Sequence, residues 1–149
     1  MAELHIKPLA SRLDEQQIAA LSRALEGVKA PALPRGGRAG LTFADELDEE
    51  VLDEMLELLE SRDAACDIYL PVAFEGRVSV GDLAVGSASG LLRALAELRE
   101  ELEFDQDYDE EEDLDGTGVE LSHLRELWKL IHDGATEALD RSLPLYLVP

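Results

Sequence analysis

Between Glu100 and Glu120 the chain holds twelve acidic side chains and no Lys or Arg. Clustered carboxylates do two kinds of chemistry: they coordinate hard cations, and they attract basic partners. The cation reading can be checked position by position. Asp105, Asp107 and Asp109 match the first three ligand positions of an EF-hand calcium loop. Glu110 then stands where the glycine is needed, Glu112 where the apolar residue belongs, and Gly116 where the bidentate glutamate should be. The loop pattern fails, which leaves weak binding of divalent cations or a solvated acidic loop. Glu120 and His123 have the Glu-x-x-His spacing of carboxylate-bridged di-metal bundles, a site that needs a second copy of the motif. This chain has one copy. His123 and His132 are nine residues apart, on opposite sides of a helix, and His5 belongs to another element. No metal site and no cofactor is expected.

Catalytic patterns fare no better. The glycine spacing of Gly81 to Ser87 is that of a phosphate loop, but Ser87 occupies the place of the essential lysine. The stretch Gly86-Ser87-Ala88-Ser89-Gly90 opens a helix, where free amides can hold an anion. Ser and Gly are also the usual helix-start residues, so capping is the expected role. The same stretch is not a nucleophile elbow, because its central residue is Ala88. Cys66 begins an apolar strand and reads as a packed thiol. Trp128 falls in the apolar stripe of a helix and reads as core. No set of residues offers nucleophile, base and oxyanion donor together, so the chain is read as not an enzyme. Phe104 and Tyr108 differ from the other aromatics. They lie among carboxylates and offer anchors either for a partner or for the loop itself.

The acidity is concentrated. Of 34 acidic residues, nine fall in 43–62 and twelve in 100–120, whereas residues 1–42 carry four acids against six bases. A net charge of −21 distributed in this way repels nucleic acid and anionic lipid and draws basic proteins. Acidity adapted to high salt would be spread evenly, and here it is not. One cysteine allows no internal disulfide and suits a reducing compartment. The N-terminus is too polar for a secretory signal, and no apolar run reaches the length of a membrane span. The expectation is a cytoplasmic protein.

The elements that must position these residues can be read from periodicity. A strand is expected over Glu3–Leu9, with Leu4, Ile6 and Leu9 inward. Asp14 and Gln17 have capping-box spacing for a helix to about Glu26, stopped by Gly27, with Ile18, Leu21 and Leu25 inward. Residues 28–41, with two prolines and three glycines, form a basic loop. Thr42 and Asp45 suggest a second capped start, for an amphipathic helix to about Arg62 with Leu47, Val51, Met55, Leu58 and Leu59 inward. Its outer face would carry Asp45, Glu46, Asp48, Glu49, Glu50, Asp53, Glu54, Glu57 and Glu60. Asp67–Phe74 alternates as a strand, with Pro71 pointing to an edge or a bulge. Glu75-Gly76 is the expected hairpin turn to a partner strand over Arg77–Val85, broken or bulged at Gly81-Asp82. Ser87 or Ser89 caps a helix to about Glu101 with Leu91, Leu95, Leu98 and Leu102 inward. An acidic flexible loop over 103–118 leads to a helix over about Val119–Arg141, with Leu121, Leu124, Trp128, Ile131, Ala135, Ala138 and Leu139 inward. Pro144 ends that helix, and Leu145–Val148 closes the chain as a strand inside the sheet.

The order β-α-α-β-β-α-α-β predicts an α+β fold, with α/β as the alternative, in one domain of 149 residues. A small sheet packed by four helices is expected. The order of strand, two helices, strand region, helices and strand, with an acidic second helix, is similar to that of the barstar-type nuclease inhibitors. The hairpin and the acidic loop depart from that pattern. The leading functional reading is a non-enzymatic inhibitor or immunity protein that neutralises a basic partner, a toxin or nuclease. The partner would be bound through Asp45, Glu46, Glu49, Glu50, Asp53, Glu54, Glu57, Phe104, Asp105, Asp107, Tyr108 and Asp109. The alternatives are an acidic chaperone or adaptor for a secreted or assembling protein, and a small enzyme taking an anionic ligand at the 86–90 helix start.

Overall fold

The computed structural model describes residues 2–8, 13–29, 41–74, 76–102 and 121–148. Its elements are β1 (Ala2–Ile6), α1 (Glu15–Gly27), β2 (Leu41–Leu47), α2 (Glu49–Glu60), β3 (Ile68–Leu70), β4 (Val78–Val80), β5 (Leu83–Ser87), α3 (Ala88–Glu101), α4 (Leu121–Arg141) and β6 (Leu145–Val148). The strands form one mixed sheet in the order β2-β1-β6-β3-β5-β4. The fold is α+β, as the sequence predicts. Among the described residues no helix is long and apolar enough to cross a membrane.

The period-two pattern of the strands sorts their side chains onto two faces. Ala2, Leu4 and Ile6 of β1, Tyr69 of β3, and Leu145 and Leu147 of β6 face a core shared with α2, α3 and α4. Ile68, Leu70, Val78, Val80, Val85 and Tyr146 face the other way, against Leu21 and Leu25 of α1. Beyond α1, on the β1 and β2 half of that second face, the exposed positions are polar. His5 lies there between Glu3 (3.1 Å) and the Thr42 hydroxyl (3.2 Å).

Several local expectations hold because local chemistry is enough to fix them. Asp14 Oδ1 accepts the Gln17 amide at 2.8 Å and the Gln17 side chain accepts the Asp14 amide at 3.0 Å, completing the capping box. Gly27 is the last residue of α1, and the left-handed turn after it falls on Lys29 (φ 56°). Ser87 is the cap of α3, whose Leu91, Leu95 and Leu98 are buried while Leu102 packs at the margin. β6 lies between β1 and β3, inside the sheet. In α4, Leu124, Ile131, Ala135 and Ala138 are buried, together with Leu127, which the expected stripe omits. Trp128 is half-buried and its Nε1 donates to the Leu95 carbonyl at 2.7 Å, fastening α4 to α3.

Three expectations are corrected. Residues 41–47 are a strand, not the start of the acidic helix, and β2 pairs antiparallel with β1. The register steps from Ala2↔Leu47 to Leu4↔Ala44 to His5↔Thr42, so β2 spends two extra residues as bulges. Glu46, at φ 55°, sits at the first of them. Pairing with β1 overrides the capping signal of Thr42 and Asp45, and the cap of the helix is Asp48, six residues beyond Thr42. Leu41 is therefore strand rather than loop. The intervening strand also separates α1 from α2, so the chain departs from the strand–helix–helix order shared with barstar-type inhibitors.

The second correction concerns the hairpin. β3 is only Ile68–Leu70 and pairs parallel with β5 (Tyr69↔Gly86), not antiparallel with the segment after Gly76. The tight turn is Gly81-Asp82, which joins β4 to β5 with Val80 opposite Leu83. Gly81 takes φ 60°, the conformation required of the first residue of a type II′ turn. The third correction is the role of Pro71. It follows the end of β3, which is an interior strand, rather than marking an edge. Leu9, most of the basic loop (30–40) and the acidic loop lie outside the described residues.

Candidate functional site

α2 is an amphipathic helix built from both ends. The Asp48 carboxylate accepts the Glu50 amide at 2.9 Å and the Val51 amide at 3.3 Å. Glu49 and Glu50 in the first turn favour the positive end of the helix dipole. Val51, Leu52, Met55 and Leu59 are buried against the core shared with α3 and α4. This spacing leaves Glu49, Glu50, Asp53, Glu57 and Glu60 exposed and Glu54 half-exposed. Asp45 and Glu46 are exposed as well, but on edge strand β2 leading into the helix. Seven predicted binding residues thus lie along one continuous stretch of chain. The other five, Phe104, Asp105, Asp107, Tyr108 and Asp109, lie outside the described residues.

The charges on α2 are not distributed evenly between free and paired groups. At its C-terminal end, Glu60 accepts two hydrogen bonds from Arg77 (2.8 and 3.2 Å), and Asp63 lies 3.4 Å from the same guanidinium. Arg62 pairs with Glu97 at 3.2 Å and with Glu101, tying the end of α2 to α3. Towards its N-terminal end, Glu50, Asp53, Glu54 and Glu57 have no cationic partner among the described residues. Glu49–Asp53, Glu50–Glu54 and Asp53–Glu57 are like-charge pairs four residues apart, and each costs a helix about 0.2–0.5 kcal/mol.

A groove of about 330 Å³ runs alongside this face, between α2 and the sheet. A second, larger cleft of about 550 Å³ lies at the carboxyl end of β5, where α3 begins. Arg62, Arg77 and Arg93 line it, in a chain that is otherwise strongly acidic. Arg62 and Arg77 already answer carboxylates. The Ser87 hydroxyl meets Ser89 at 2.7 Å and caps Gly90 at 3.4 Å. The cleft therefore offers an anion Arg93 and little more. The arginine pairs were not legible in the sequence, because their partners are 14–39 residues away.

Cys66 is buried under both clefts, beside Tyr69. The Tyr69 hydroxyl donates to the Ala64 carbonyl at 2.7 Å and accepts the Cys66 amide at 3.0 Å. Burial pushes the Cys66 thiol from 9.0 up to about 12, against an opposing pull from Arg77 and with smaller contributions from Asp67 and Glu60 in the same direction as burial. The thiol is thus a packed group that burial holds in its neutral form. A raised native pKa contributes stability that is complete below the unfolded value and is lost as pH rises through the native one. Between about pH 9 and 12 the wild-type protein should lose stability more steeply than Cys66→Ala. Denaturant titrations at a series of alkaline pH values would show this, and parallel curves would contradict it.

Among the described residues no group of three or more His, Cys, Asp or Glu side chains is arranged to hold a metal ion. The EF-hand-like positions and Glu120 lie outside the described residues, while His123 is exposed on α4. His132 stacks on Trp128 at 5.1 Å between ring centroids.

No protein-family model matches the chain, and neither a curated protein nor a solved structure matches it.

Proposed function

We propose that this protein binds a basic protein partner through the outer face of α2 and the adjoining end of β2, as an inhibitor or immunity protein neutralising a toxin or nuclease would. One observation carries the reading. Two like-charge pairs, Glu50–Glu54 and Asp53–Glu57, run along the exposed face of α2, and among the described residues no cation pairs with any of the four, although arginines serve the same helix at its other end. A helix serving only to pack would gain stability from a lysine at position 53, 54 or 57, beyond the first turn. Retaining the repulsion is understandable if the charge is used on another molecule. A field of this kind accelerates encounter and selects partners of opposite sign.

The test is the salt dependence of binding. Basic proteins retained from the source lysate would be purified, and their affinity measured across a salt series. A dissociation constant that rises steeply with salt is the expected result. Binding indifferent to salt would overturn this reading and favour an adaptor that captures extended apolar peptides.

A smaller effect checks how the face is built. Asp48→Ala removes the acceptor for two amides and should cost about 1 kcal/mol. Thermal unfolding measures it, with Asp48→Asn expected to retain most of the stability.

A further inference from the structure

We propose that the groove beside α2 is the anchor site for a single arginine side chain of the basic partner. The inference rests on the binding role proposed above and assigns that face its central contact. The floor of the groove is apolar, formed by Leu56, Ala65, Ala84 and Leu147. Its rim is anionic, with Asp53 and Glu57 one helical turn apart on α2.

Other carboxylates at the groove are engaged. Glu60 is held by Arg77, and Asp67 accepts the Ala84 amide at 2.8 Å. Asp53 and Glu57 have no partner among the described residues, and they repel each other. A cation placed between them would relieve that repulsion while adding its own attraction.

The combination selects the occupant. An apolar side chain would fill the floor but would strip water from two carboxylates without replacing it. A hydrated metal ion would suit the carboxylates but gain nothing from the floor. A long basic side chain satisfies both, because its methylene stem lies on apolar surface while its head stays at the rim. Arginine fits better than lysine. Its planar fork presents several donors at fixed angles and can bridge two carboxylates, whereas an ammonium is a point charge with a larger hydration cost. A side chain seated in this way has the features of an interface hot spot, a pocketed anchor ringed by weaker polar contacts.

The probe is an acetylated, amidated hexa-arginine peptide, titrated calorimetrically at low salt. Its control is hexa-diaminopropionate, which carries the same number of cationic heads on stems too short to reach the floor. Ala84→Leu fills the floor and leaves every charge in place. Asp53→Asn/Glu57→Gln empties the rim and leaves the floor. Both variants should weaken hexa-arginine about tenfold, equivalent to about 1.4 kcal/mol, and the short-stem peptide should not distinguish wild type from Ala84→Leu.

If Ala84→Leu binds hexa-arginine as wild type does while the rim variant loses it, the groove assignment falls and the acidic face stands. If hexa-arginine does not bind the wild-type protein at all, both readings fall. Should Ala84→Leu not fold, the methyl NMR signals of Leu56, Ala65, Ala84 and Leu147 in the wild-type protein decide. They should shift together on titration with N-acetylarginine amide, and unmoved signals overturn the assignment.

Discussion

Replacing Asp53 with lysine is expected to stabilise the fold by about 1 kcal/mol while weakening a basic partner about tenfold or more. The two effects have one cause. Asp53 is four residues from both Glu49 and Glu57 and three from Glu50, all acidic. A lysine at this position turns three repulsions into attractions, each worth about 0.2–0.5 kcal/mol in either sense. It also exchanges a poor helix former for a good one. Position 53 lies beyond the first turn of α2, so the lysine largely escapes the unfavourable end of the helix dipole. For a chain of this size the gain corresponds to a rise in Tm of about 3 °C.

The same lysine would stand at the rim of the groove and expel a partner's cation. Opposite movements of stability and affinity are what separate a functional charge from a solvating one. If Asp53→Lys raised Tm and left partner affinity untouched, the carboxylates would be serving solubility, and the proposed function would fail. Calorimetric unfolding and binding of the same sample would give both numbers.

Replacing Gly86 with alanine is expected to destabilise the protein by about 1–3 kcal/mol, the usual range for overpacking. Gly86 stands opposite Tyr69 in the parallel pair of β3 and β5. A Cβ built there would lie 2.7 Å from Cys66 Sγ and 3.7 Å from the edge of the Tyr69 ring. The thiol cannot easily move aside, because Cys66 is buried and its amide is held by the Tyr69 hydroxyl. The missing side chain of Gly86 is thus what allows Cys66 and Tyr69 to pack between the loop after α2 and the sheet.

The cause can be isolated with a double-mutant cycle. Cys66→Ala alone should cost about 1 kcal/mol through the lost sulfur contacts. Combined with Gly86→Ala it should recover most of that variant's loss, because the added methyl occupies the vacated space. Strictly additive losses would show that Gly86 is needed for its backbone rather than for the room it leaves.

The sequence by itself determined the features that depend on neighbours along the chain. The capping box at Asp14 and Gln17, the cap at Ser87, the apolar stripes of α1 and α3, and the acidic outer face of α2 all follow from spacings of three or four residues. β6 was legible too, since four residues rich in apolar side chains after Pro144 can be satisfied only inside a sheet.

Tertiary structure decided the rest. Thr42 and Asp45 carry a helix-start pattern, but β1 offers residues 41–47 a ladder of backbone hydrogen bonds that the local signal cannot outweigh. Gly76 and Gly81 both suit turns, and the choice of Gly81-Asp82 depends on β5 finding its parallel partner in β3. The groove has the same origin. Asp53 and Glu57 come from α2, Ala65 from the loop after it, Ala84 from β5 and Leu147 from β6. Charge is written locally, residue by residue, but a concave surface exists only where segments distant in sequence are brought together by the core they share.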